Sequence, residues 1–563
     1  MPQKYKWGMA AKISDDLATQ LLYNRGVVKT KKPRKEAIRS FLYPNPKNDL
    51  HNPFLMLNLK KAVYRIMLSV NKKEKVGIFA DYDADGIPGA ALLYEAFRKL
   101  NLETFVYIPD RSEGYGFSCK GVDYFKDKEV NLIVTVDCGI RDTKAVFYAR
   151  EQGFDVIICD HHEQGKILPR AYAVIDPKQK KEKYPFRDLS GAAVAFKLIQ
   201  GLSKLTPKIN NRFLKNSLDL VAISVISDIV PLLDENRVFA KIGLLVLRKT
   251  ERLGLIELYK TAGINSAQLK AYHIGFMIGP RINAPGRMYS PQTSFELLIT
   301  KNKKEAKEYA QILNEVNKER QRETDRFIKK AQKKIKKDKL DKLKIILISG
   351  DEWPQGLTGL IASKLKDQFN RPVFIFSKGK KEAKGSARSI DGFHLAEVLL
   401  ESQKLIKKGG GHAKAAGIQI KNEKLKEFYD HLLQLAEQKI SKKDLMPKIE
   451  IDAQIELTNI NWQNYKLIDS LEPYGLANPR PKFLAKNLEI IQVKTMGNGE
   501  KHLSLILASG SQSIRAVYFS GGEIFSKIKR GDLIDAVFSI EVNDFSGQPK
   551  LELHLEDVRL ANN

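Results

Sequence analysis

The chain has 563 residues, which is too long for one hydrophobic core, so we expect three or four domains. Its composition, 43% hydrophobic and 29% charged, is typical of folded globular proteins and excludes an intrinsically disordered chain. The 95 lysines and arginines exceed the 66 aspartates and glutamates and give a net charge of +29. This excess favours a polyanionic partner, nucleic acid or a membrane surface, although a lysine-rich proteome would produce the same charge.

The sequence contains neither a candidate membrane segment nor a secretion signal. No stretch approaches the roughly 20 apolar residues that span a bilayer. The first residues, MPQKYKWGMAAKISDD, lack an apolar signal-peptide core, so we expect a cytoplasmic protein. The three cysteines form no CxxC pair, which argues against a disulfide framework and a thiolate metal site.

Residues 1–70 predict an N-terminal helical segment with basic and proline-containing turns. From Lys75, short apolar runs alternate with helical periodicity, which predicts βαβ units and a doubly wound, mostly parallel sheet over 71–235. The predicted strands are VGIFA (76–80), TFVYI (104–108), NLIVTV (131–136), DVIIC (155–159) and AVI (173–175).

The second half of the chain predicts three further parts. Residues 236–340 are mainly helical and end in a long, highly charged connecting helix around 305–335, whose charges we interpret as a solvated face. Residues 341–440 predict a second α/β domain, from the apolar runs LKIILIS, PVFIFS and AAGIQI. Several short alternating strands over 447–563 predict a small β-barrel, for which an OB-fold is the commonest fit.

Metal-capable side chains follow three of the predicted strands. The first strand leads into DYDADG, the third into DCG and the fourth into DHH, which places Asp81, Asp83, Asp85, Asp137, Asp160, His161 and His162 at strand ends. Active sites of open α/β sheets form outside these carboxyl ends. Each motif alone has an ordinary explanation, such as a calcium loop, an acidic turn or a surface histidine pair. Their joint placement predicts one metal site.

An oxygen-rich site with imidazoles suits Mn²⁺ or Mg²⁺. Clustered carboxylates repel one another unless cations neutralise them. Two divalent cations about 4 Å apart could bind a phosphodiester, acidify a water molecule and stabilise the leaving oxygen. The expected cofactors are therefore two divalent cations, and the expected chemistry is phosphodiester hydrolysis.

The order DYDADG, DCG and DHH, followed by DLVAISVISDIVPLLDENR, resembles the motifs of the DHH phosphoesterases. The resemblance implies that Asp83, Asp85, Asp137, His161 and Asp228 ligate two metal ions, with Asp137 bridging them. It also implies that Asp81 ligates or orients, that His162 acts on the nucleophile or the phosphate, and that Asp160 supports the ligands. Asp137, His161 and His162 are thus the expected catalytic residues, and 71–235 is the expected catalytic domain.

The sequence also resembles the bacterial RecJ family over nearly its whole length. The matching segments are RSEGYG (111–116), IGPRINAPGRM (278–288), KGSARSIDGFHL (384–395), GGGHAKAAG (409–417) and LEPYGLANPRPKF (471–483). The resemblance implies substrate binding by Arg111, Tyr115, Arg281, Asn283, Ser386, Arg388, Gly410, Gly411 and His412. The glycines would form a turn whose N–H groups approach a phosphate. Residues 341–440 then become the DHH-associated, substrate-binding domain.

This family implies a metal-dependent exonuclease that degrades single-stranded DNA from the 5′ end to 5′-mononucleotides, in DNA repair and recombination. Its expected partners are single-stranded DNA, a single-stranded-DNA-binding protein and a helicase, and we expect a monomer without membrane contact. Tyr474, Phe483 and Tyr518 are candidates for base stacking in the barrel. Two alternatives remain: a DHH phosphodiesterase for short oligonucleotides or cyclic dinucleotides, and a non-catalytic DNA-binding scaffold.

Two short segments depart from the pattern of the family. Pro354 stands where a histidine often follows the tryptophan, and Pro88-Gly89 stand where small hydroxyl residues are common. Neither departure falls on an expected metal ligand, so both bear on substrate preference and not on the chemistry.

Overall fold

The computed structural model describes residues 4–30, 34–544 and 547–561. Two compact units are present. The first contains Ile13–Asn317 and Lys466–Arg480, and the second contains the residues up to Lys12, Lys318–Tyr465 and the chain from Pro481 onward. Within the described ranges, no helix is both long enough and apolar enough to cross a bilayer.

The N-terminal segment contains a strand as well as the predicted helices. Its elements are β1 (Lys6–Met9), α1 (Leu17–Asn24), α2 (Lys35–Leu42) and α3 (Leu59–Lys72). The purely helical prediction for 1–70 is corrected at β1, which pairs in parallel with residues 448–451 of the second unit. The Trp7 indole N–H donates to Asp557 over 2.7 Å, and this long-range contact helps to hold the strand. Four residues are too few to show a strand pattern in sequence.

The first unit is built on a five-stranded parallel sheet. Its strands are β2 (Val76–Ala80), β3 (Thr104–Tyr107), β4 (Leu132–Val136), β5 (Asp155–Cys159) and β6 (Ala173–Ile175), in the order β3-β2-β4-β5-β6. The connecting helices are α4 (Gly86–Lys99), α5 (Cys119–Asp127) and α6 (Thr143–Glu151), and α7 (Gly191–Leu202) follows the last strand. All five predicted strands are confirmed. β2 and β4 are buried along their whole length, which is why they read as continuous apolar runs.

Helices complete this unit and lead out of it. They are α8 (Asn211–Ser227), α9 (Asp234–Leu247), α10 (Leu253–Ala262), α11 (Ala271–His273), a π-helical turn (Ile274–Ile278), α12 (Gly279–Asn283), α13 (Pro285–Met288) and α14 (Gln292–Ile299). α15 (Lys303–Lys337) is the long helix predicted around 305–335. The buried side chains of α8 join those of α4 and α7 in one core.

The second unit contains a mixed five-stranded sheet. Its strands are β7 (Ile346–Gly350), β8 (Val373–Lys378), β9 (Glu382–Arg388), β10 (Lys408–Gly411) and β11 (Ala415–Lys421), in the order β10-β11-β9-β8-β7. The helices are α16 (Thr358–Phe369), α17 (Leu395–Glu401) and α18 (Leu425–Lys439). The predicted glycine-rich turn is corrected, because its three glycines lie in the edge strand β10, paired antiparallel with β11.

The C-terminal strands form a closed barrel of the OB type. They are β13 (Ala453–Gln454), β14 (Phe483–Met496), β15 (His502–Ser509), β16 (Gln512–Tyr518), β17 (Leu533–Asn543) and β18 (Lys550–Leu560), with α19 (Trp462–Ser470) between β13 and β14. The strand before them, β12 (Lys448–Ile451), pairs with β1 in a separate two-stranded sheet. Pairing of β14 with β17 closes the barrel. The prediction that Phe483 and Tyr518 stack on nucleobases is wrong, because both side chains are buried. Phe483 packs against Phe538 in the barrel core.

The segment Lys466–Arg480, predicted as part of the 447–563 barrel domain, packs in the first unit. The reason is the fully buried Arg237 of α9, whose guanidinium donates to the carbonyl oxygens of Leu471, Glu472 and Pro473. The Tyr474 hydroxyl donates to the Ile468 carbonyl oxygen over 2.5 Å, inside the same segment. Tyr474 is therefore partly buried in this segment instead of standing on the barrel.

Candidate functional site

The metal-capable side chains converge at the carboxyl ends of β2, β4 and β5. His161 Nε2 lies 3.1 Å from Asp137 Oδ1, 3.6 Å from Asp85 Oδ2 and 3.8 Å from Asp228 Oδ2. Three groups of ligand atoms each lie within 4.8 Å of one another: Asp137 with His161 and His162, Asp85 with His161 and Asp228, and Asp81 with Asp83 and Asp137. The structure thus brings together all six predicted metal ligands and His162, including Asp228 from the end of α8.

Two glycines make room for this convergence. A side chain on Gly86 would place its Cβ 2.3 Å from the Asp81 carbonyl oxygen, and one on Gly191 would lie 2.6 Å from the Asp137 Cβ. Asp137 itself has φ +63°, a left-handed conformation that is uncommon for a residue with a side chain. The chain therefore turns sharply after β4 and directs the carboxylate of Asp137 into the cluster.

Backbone N–H groups fix two of the carboxylates. Asp85 accepts from the N–H groups of Gly191 and Ala192, over 2.6 and 2.7 Å, at the start of α7. The Ser224 hydroxyl donates to the same carboxylate over 2.6 Å. Asp83 accepts from the N–H groups at the start of α4, with 2.8 Å to the Asp85 nitrogen. Helix N-termini favour negative charge, so this arrangement stabilises both anions.

The two histidines are oriented differently. His161 Nδ1 lies 2.9 Å from the Leu189 carbonyl oxygen, which places the proton on Nδ1 and leaves the Nε2 lone pair facing the carboxylates. His162 Nδ1 lies 2.7 Å from Asp160 Oδ1, and its ring also contacts the Tyr115 hydroxyl, 3.1 Å from Nε2. His161 thus has the geometry of a ligand, and His162 that of an acid or base held by a carboxylate.

Burial and mutual repulsion dominate the electrostatics of the cluster. Burial, reinforced by the charges of Asp85 and Asp83, raises the pKa of Asp137 well above its ordinary value. Burial and the neighbouring carboxylates likewise raise the pKa of Asp81 and Asp228, and they raise the pKa of Asp85 to about 6. Burial lowers the pKa of His161 to about 3, so this imidazole stays neutral as a metal ligand must.

These features fit divalent cations. Asp81 Oδ1 is buried and has no hydrogen-bond partner among the described residues. Buried carboxylates that repel one another and a neutral imidazole with a free lone pair are the donor set expected for Mn²⁺ or Mg²⁺. Divalent cations bound among these side chains would supply both the missing partner for Asp81 and the missing positive charge.

The sequence interpretation did not find two residues at the end of β6, Asp176 and Lys178. Asp176 is fully buried, accepts from the Lys178 N–H over 2.6 Å, and has a pKa raised to about 8 by burial and then by the charge of Asp160. The Lys178 ammonium lies near enough to Asp228 and His161 to act on both electrostatically. The strand at 173–175 was predicted, so the strand-end rule could have identified both residues.

Arg111 and Tyr115, predicted as substrate contacts, both lie beside the cluster. The Arg111 guanidinium lies over the ring of Tyr82, 5.1 Å from its centroid. Tyr82 belongs to the loop that carries Asp81 and Asp83. The Tyr115 hydroxyl donates to the Asp137 carbonyl oxygen over 3.1 Å, and its side chain remains 55% exposed. Both side chains therefore combine a contact to the metal-binding loops with access to solvent.

Arg281 and Asn283 are held by other protein groups. The Asn283 side-chain oxygen accepts from the Ala84 N–H over 2.8 Å, so this residue anchors the DYDADG loop. The Arg281 guanidinium donates to the Asn314 side chain and the Met277 carbonyl oxygen. Within the described part of the chain, no carboxylate lies at salt-bridge distance from Arg281, and burial lowers its pKa.

In the second unit, Ser386 and Arg388 face the start of α16. A Cβ on Gly359 would lie 3.1 Å from Arg388 Nη2 and 3.6 Å from Ser386 Oγ, and the Thr358 and Ser386 hydroxyls are 3.0 Å apart. A guanidinium, two hydroxyls and the N-terminus of a helix form a typical phosphate-binding arrangement. Arg388 also lines a cavity of about 470 Å³, together with Lys366 and Lys414.

The predicted glycines adjoin this arrangement. Ser386 pairs with Gly417 across β9 and β11, and Gly417 pairs with Gly410 across β11 and β10, so the three residues form one row. Nothing lies within 4 Å of a Cβ built on Gly410 or Gly417. The row is thus open beside Ser386. Gly411 and the exposed His412 continue into the turn before β11.

The two departures from the family pattern lie in packed positions. Trp353, which precedes Pro354, is buried and packs on Phe327 with ring centroids 5.2 Å apart. A Cβ on Gly89 would lie 2.6 Å from the Val136 side chain, so the glycine allows α4 to approach β4. Pro88 stands in the buried first turn of the same helix. Both substitutions therefore have local structural consequences away from the ligand atoms.

Three family models match parts of the chain. They are the N-terminal domain of the DHH family over residues 75–225, the DHHA1 domain over 341–442 and the RecJ OB domain over 451–557.

Similar proteins cover most of the chain. The single-stranded-DNA-specific exonuclease RecJ of Bacillus subtilis is 35% identical over 97% of this chain and 68% of that protein. The enzyme of the same name from Haemophilus influenzae is 31% identical over 94% of both chains. Among solved structures, Thermus thermophilus RecJ in complex with Mn²⁺ matches with a TM-score of 0.83 at 24% identity, over 100% of this chain and 81% of that one.

Proposed function

This chain belongs to the RecJ family of single-stranded-DNA-specific exonucleases, and we propose that it hydrolyses single-stranded DNA from the 5′ end to 5′-mononucleotides. The observation that carries the proposal is the position of His161 Nε2, within 4 Å of the carboxylates of Asp85, Asp137 and Asp228. The placement of Asp137 and His161 at strand ends, together with Asp85 and Asp228 at helix ends, supports a two-cation phosphodiesterase centre.

We assign the metal ligands to Asp81, Asp83, Asp85, Asp137, His161 and Asp228, with Asp137 shared between two ligand groups. Divalent cations, Mn²⁺ or Mg²⁺, would supply Lewis-acid activation of the attacking water and of the phosphate. The protein groups fix the carboxylates before substrate arrives, through the hydrogen bonds of Asp83 and Asp85 to helix N-termini.

His162 is proposed as the group that holds or transfers a proton at the phosphate. Its support is the Asp160–His162–Tyr115 series of contacts, in which the carboxylate orients the ring at Nδ1 and leaves Nε2 near the phenol hydroxyl. A histidine oriented in this way is a suitable general acid or base near neutral pH.

Substrate phosphates would be bound in both units. In the first, Arg111 and Tyr115 stand beside the metal-binding loops, and Arg281 would hold the 5′-terminal phosphate. In the second, Ser386, Arg388 and the start of α16 would bind a backbone phosphate, with Gly410, Gly411 and His412 along the strand.

The barrel would also bind single-stranded DNA. One exposed aromatic side chain beside the barrel strands is Phe519, whose ring contacts His502 and His554 edge-on, with centroids 5.6 and 5.2 Å away. OB-folds bind single strands by stacking bases on such aromatics and by attracting the backbone to basic side chains. Phe519 therefore replaces Tyr474, Phe483 and Tyr518 as the proposed stacking residue.

We further propose that the protein acts as a monomer in the cytoplasm, where a helicase and a single-stranded-DNA-binding protein supply its substrate. The support is the chemistry of the reaction: an exonuclease restricted to unpaired strands needs another protein to separate a duplex.

The test is digestion of end-labelled DNA by the purified protein with Mn²⁺. Single-stranded DNA should be converted to mononucleotides, while blunt duplex and short RNA should be degraded much more slowly. The Asp137→Ala variant and excess chelator serve as negative controls. Cleavage of short RNA or cyclic dinucleotides with no activity on long single-stranded DNA would refute the proposal.

A further inference from the structure

Residues 265–295 differ in composition from the rest of the chain, since they contain no aspartate or glutamate. The stretch carries three cationic residues, Lys270, Arg281 and Arg287. It also carries three aromatic residues that are each more than half exposed, Tyr272, Phe276 and Tyr289. Basic side chains interleaved with exposed aromatics are typical of surfaces that bind nucleic acid strands.

Tyr272 and Phe276 form a preassembled pair. Their rings are stacked, with centroids 5.0 Å apart and planes 25° apart, and the side chains are 62% and 68% exposed. Ile274 and Ile278 of the same helical run are fully buried, so the run has one face in the core and an aromatic face in solvent. A π-helical turn, Ile274–Ile278, contains Phe276, and such turns are frequent at functional sites.

The helical run that carries the pair contacts segments of the proposed metal centre within the first unit. A Cβ on Gly279 would be 2.5 Å from Ser227 Oγ, in the last residue of α8, which Asp228 follows directly. Phe276 precedes Gly279 by three residues, or about 4.5 Å along a helix. At the other end of the run, Asn283 holds the DYDADG loop through Ala84. One helical run therefore contacts both sides of the metal centre and carries the exposed aromatic pair.

We propose that Tyr272 and Phe276 form a stacking platform for unpaired nucleobases of the substrate strand beside the metal centre. The proposal rests on the function proposed above and extends it to a nucleobase subsite. Every nucleobase has an aromatic face, so the platform binds without sequence preference. Bases of a duplex are already stacked on one another, so the platform favours a single strand. The lack of carboxylates in 265–295 suits the polyanionic backbone of that strand.

The test compares Phe276→Ala with Phe147→Ala, which removes an equally exposed aromatic side chain from α6 in the same unit. Strand binding is measured by fluorescence anisotropy, and KM is measured on single-stranded oligonucleotides with Mn²⁺. Loss of one stacked base should weaken binding and raise KM about tenfold for Phe276→Ala. Phe147→Ala should match wild type, and Phe276→Trp should retain tight binding.

Abasic nucleotides placed at successive positions separate stacking from a structural effect. At one or two positions near the 5′ end, an abasic nucleotide should weaken wild-type binding about as much as Phe276→Ala does. Phe276→Ala should add no further loss on that strand. The platform is refuted if Phe276→Ala binds like Phe147→Ala, or if its loss is the same on abasic and normal strands at every position. Failure of the wild type to release nucleotides would instead refute the proposed function, because anisotropy tests the platform without catalysis.

Discussion

His161 Nε2 lies 3.1 Å from Asp137 Oδ1, although the two residues are separated by a helix and a strand in the sequence. They meet because β4 and β5 are adjacent and parallel, which brings their carboxyl ends to the same edge of the sheet. Both side chains belong to more than one of the possible ligand groups. Loss of either should therefore disturb both cation positions.

The first prediction concerns these two ligands. Asp137→Ala and His161→Ala should each lower hydrolysis of single-stranded DNA by at least ~10³-fold, because the cations would supply both activation of the nucleophile and charge stabilisation. The measurement is nucleotide release with saturating Mn²⁺, with circular dichroism as a check on folding. Glu151→Gln, at an exposed carboxylate at the end of α6, is the control and should retain full activity. Turnover of both variants within tenfold of wild type would contradict the assignment.

The second prediction concerns pH and metal removal. Burial and neighbouring charges raise the pKa of Asp85 from 3.8 to about 6, and they raise the pKa of Asp81, Asp137 and Asp228 well above 3.8. The folded protein thus binds more protons than the unfolded chain, so the free energy of unfolding falls as pH rises from about 4 through 6 and above. Bound Mn²⁺ neutralises the carboxylates and opposes this loss.

Thermal unfolding measured from pH 5 to 8, in chelator and in excess Mn²⁺, checks the second prediction. The increase in melting temperature caused by Mn²⁺ should grow with pH. In chelator, the melting temperature of Asp137→Asn should depend less on pH than that of wild type, because one repelling charge is removed. Parallel profiles with and without Mn²⁺ would show that the carboxylates do not form a cation site.

The third prediction concerns His162. Burial lowers its pKa, but the hydrogen bond to Asp160 and the charges of Asp160 and Asp85 together raise the pKa above the ordinary value of 6.5. His162→Ala should lower kcat about 10²-fold or more and leave KM nearly unchanged, as expected for loss of an acid or base. Asp160→Asn should give an intermediate kcat and shift the pH profile to lower pH. An unchanged pH profile in Asp160→Asn would exclude this role for His162.

The fourth prediction concerns the barrel. Removal of the whole barrel from Lys448 would also remove Lys466–Arg480, which packs in the first unit, so a point variant is the cleaner test. Phe519→Ala should weaken binding of long single strands about five- to a hundredfold. Phe525→Ala changes another exposed aromatic side chain of the barrel region and should bind like wild type. Equal binding by Phe519→Ala and Phe525→Ala would exclude Phe519 as the stacking residue.

The parts of the site that were predictable from sequence lie at the ends of buried strands. A buried parallel strand is a continuous apolar run, so its end is visible in the sequence, and Asp81, Asp137 and His161 follow such ends. Contacts between distant segments were not predictable. The hydrogen bond between the side chains of Arg281 and Asn314 joins α12 and α15. Nothing in the local sequence pattern of either helix indicates this contact.

The choice between Tyr518 and Phe519 shows a second limit. Strand alternation would identify the inward side chain, but the last three residues of β16, including Tyr518, are all buried. The strand therefore has no alternating pattern at its end, and the exposed position of Phe519 becomes visible only once the barrel is closed.

The fifth prediction concerns the polarity of the exonuclease, and Arg281 provides its structural basis. A guanidinium has five N–H donors, and the hydrogen bonds of Arg281 to Asn314 and Met277 within the described chain occupy three of them. Two donors therefore remain, enough to hold a terminal phosphate bidentately. Because no carboxylate of the described chain neutralises it, the guanidinium keeps its full charge for an anion.

Arg281→Ala should reduce the preference for 5′-phosphorylated over 5′-hydroxyl strands by about ten- to a hundredfold, since a charge-assisted hydrogen bond contributes roughly 1.5–3 kcal/mol. Asn314→Ala should reduce the preference less, because it frees the guanidinium without removing it. Polarity itself is measured with internally labelled strands blocked at one end. A 5′ block should protect the strand and a 3′ block should not. Protection by the 3′ block alone would show that the enzyme starts at the opposite end, and Arg281 would then have no terminal phosphate to bind.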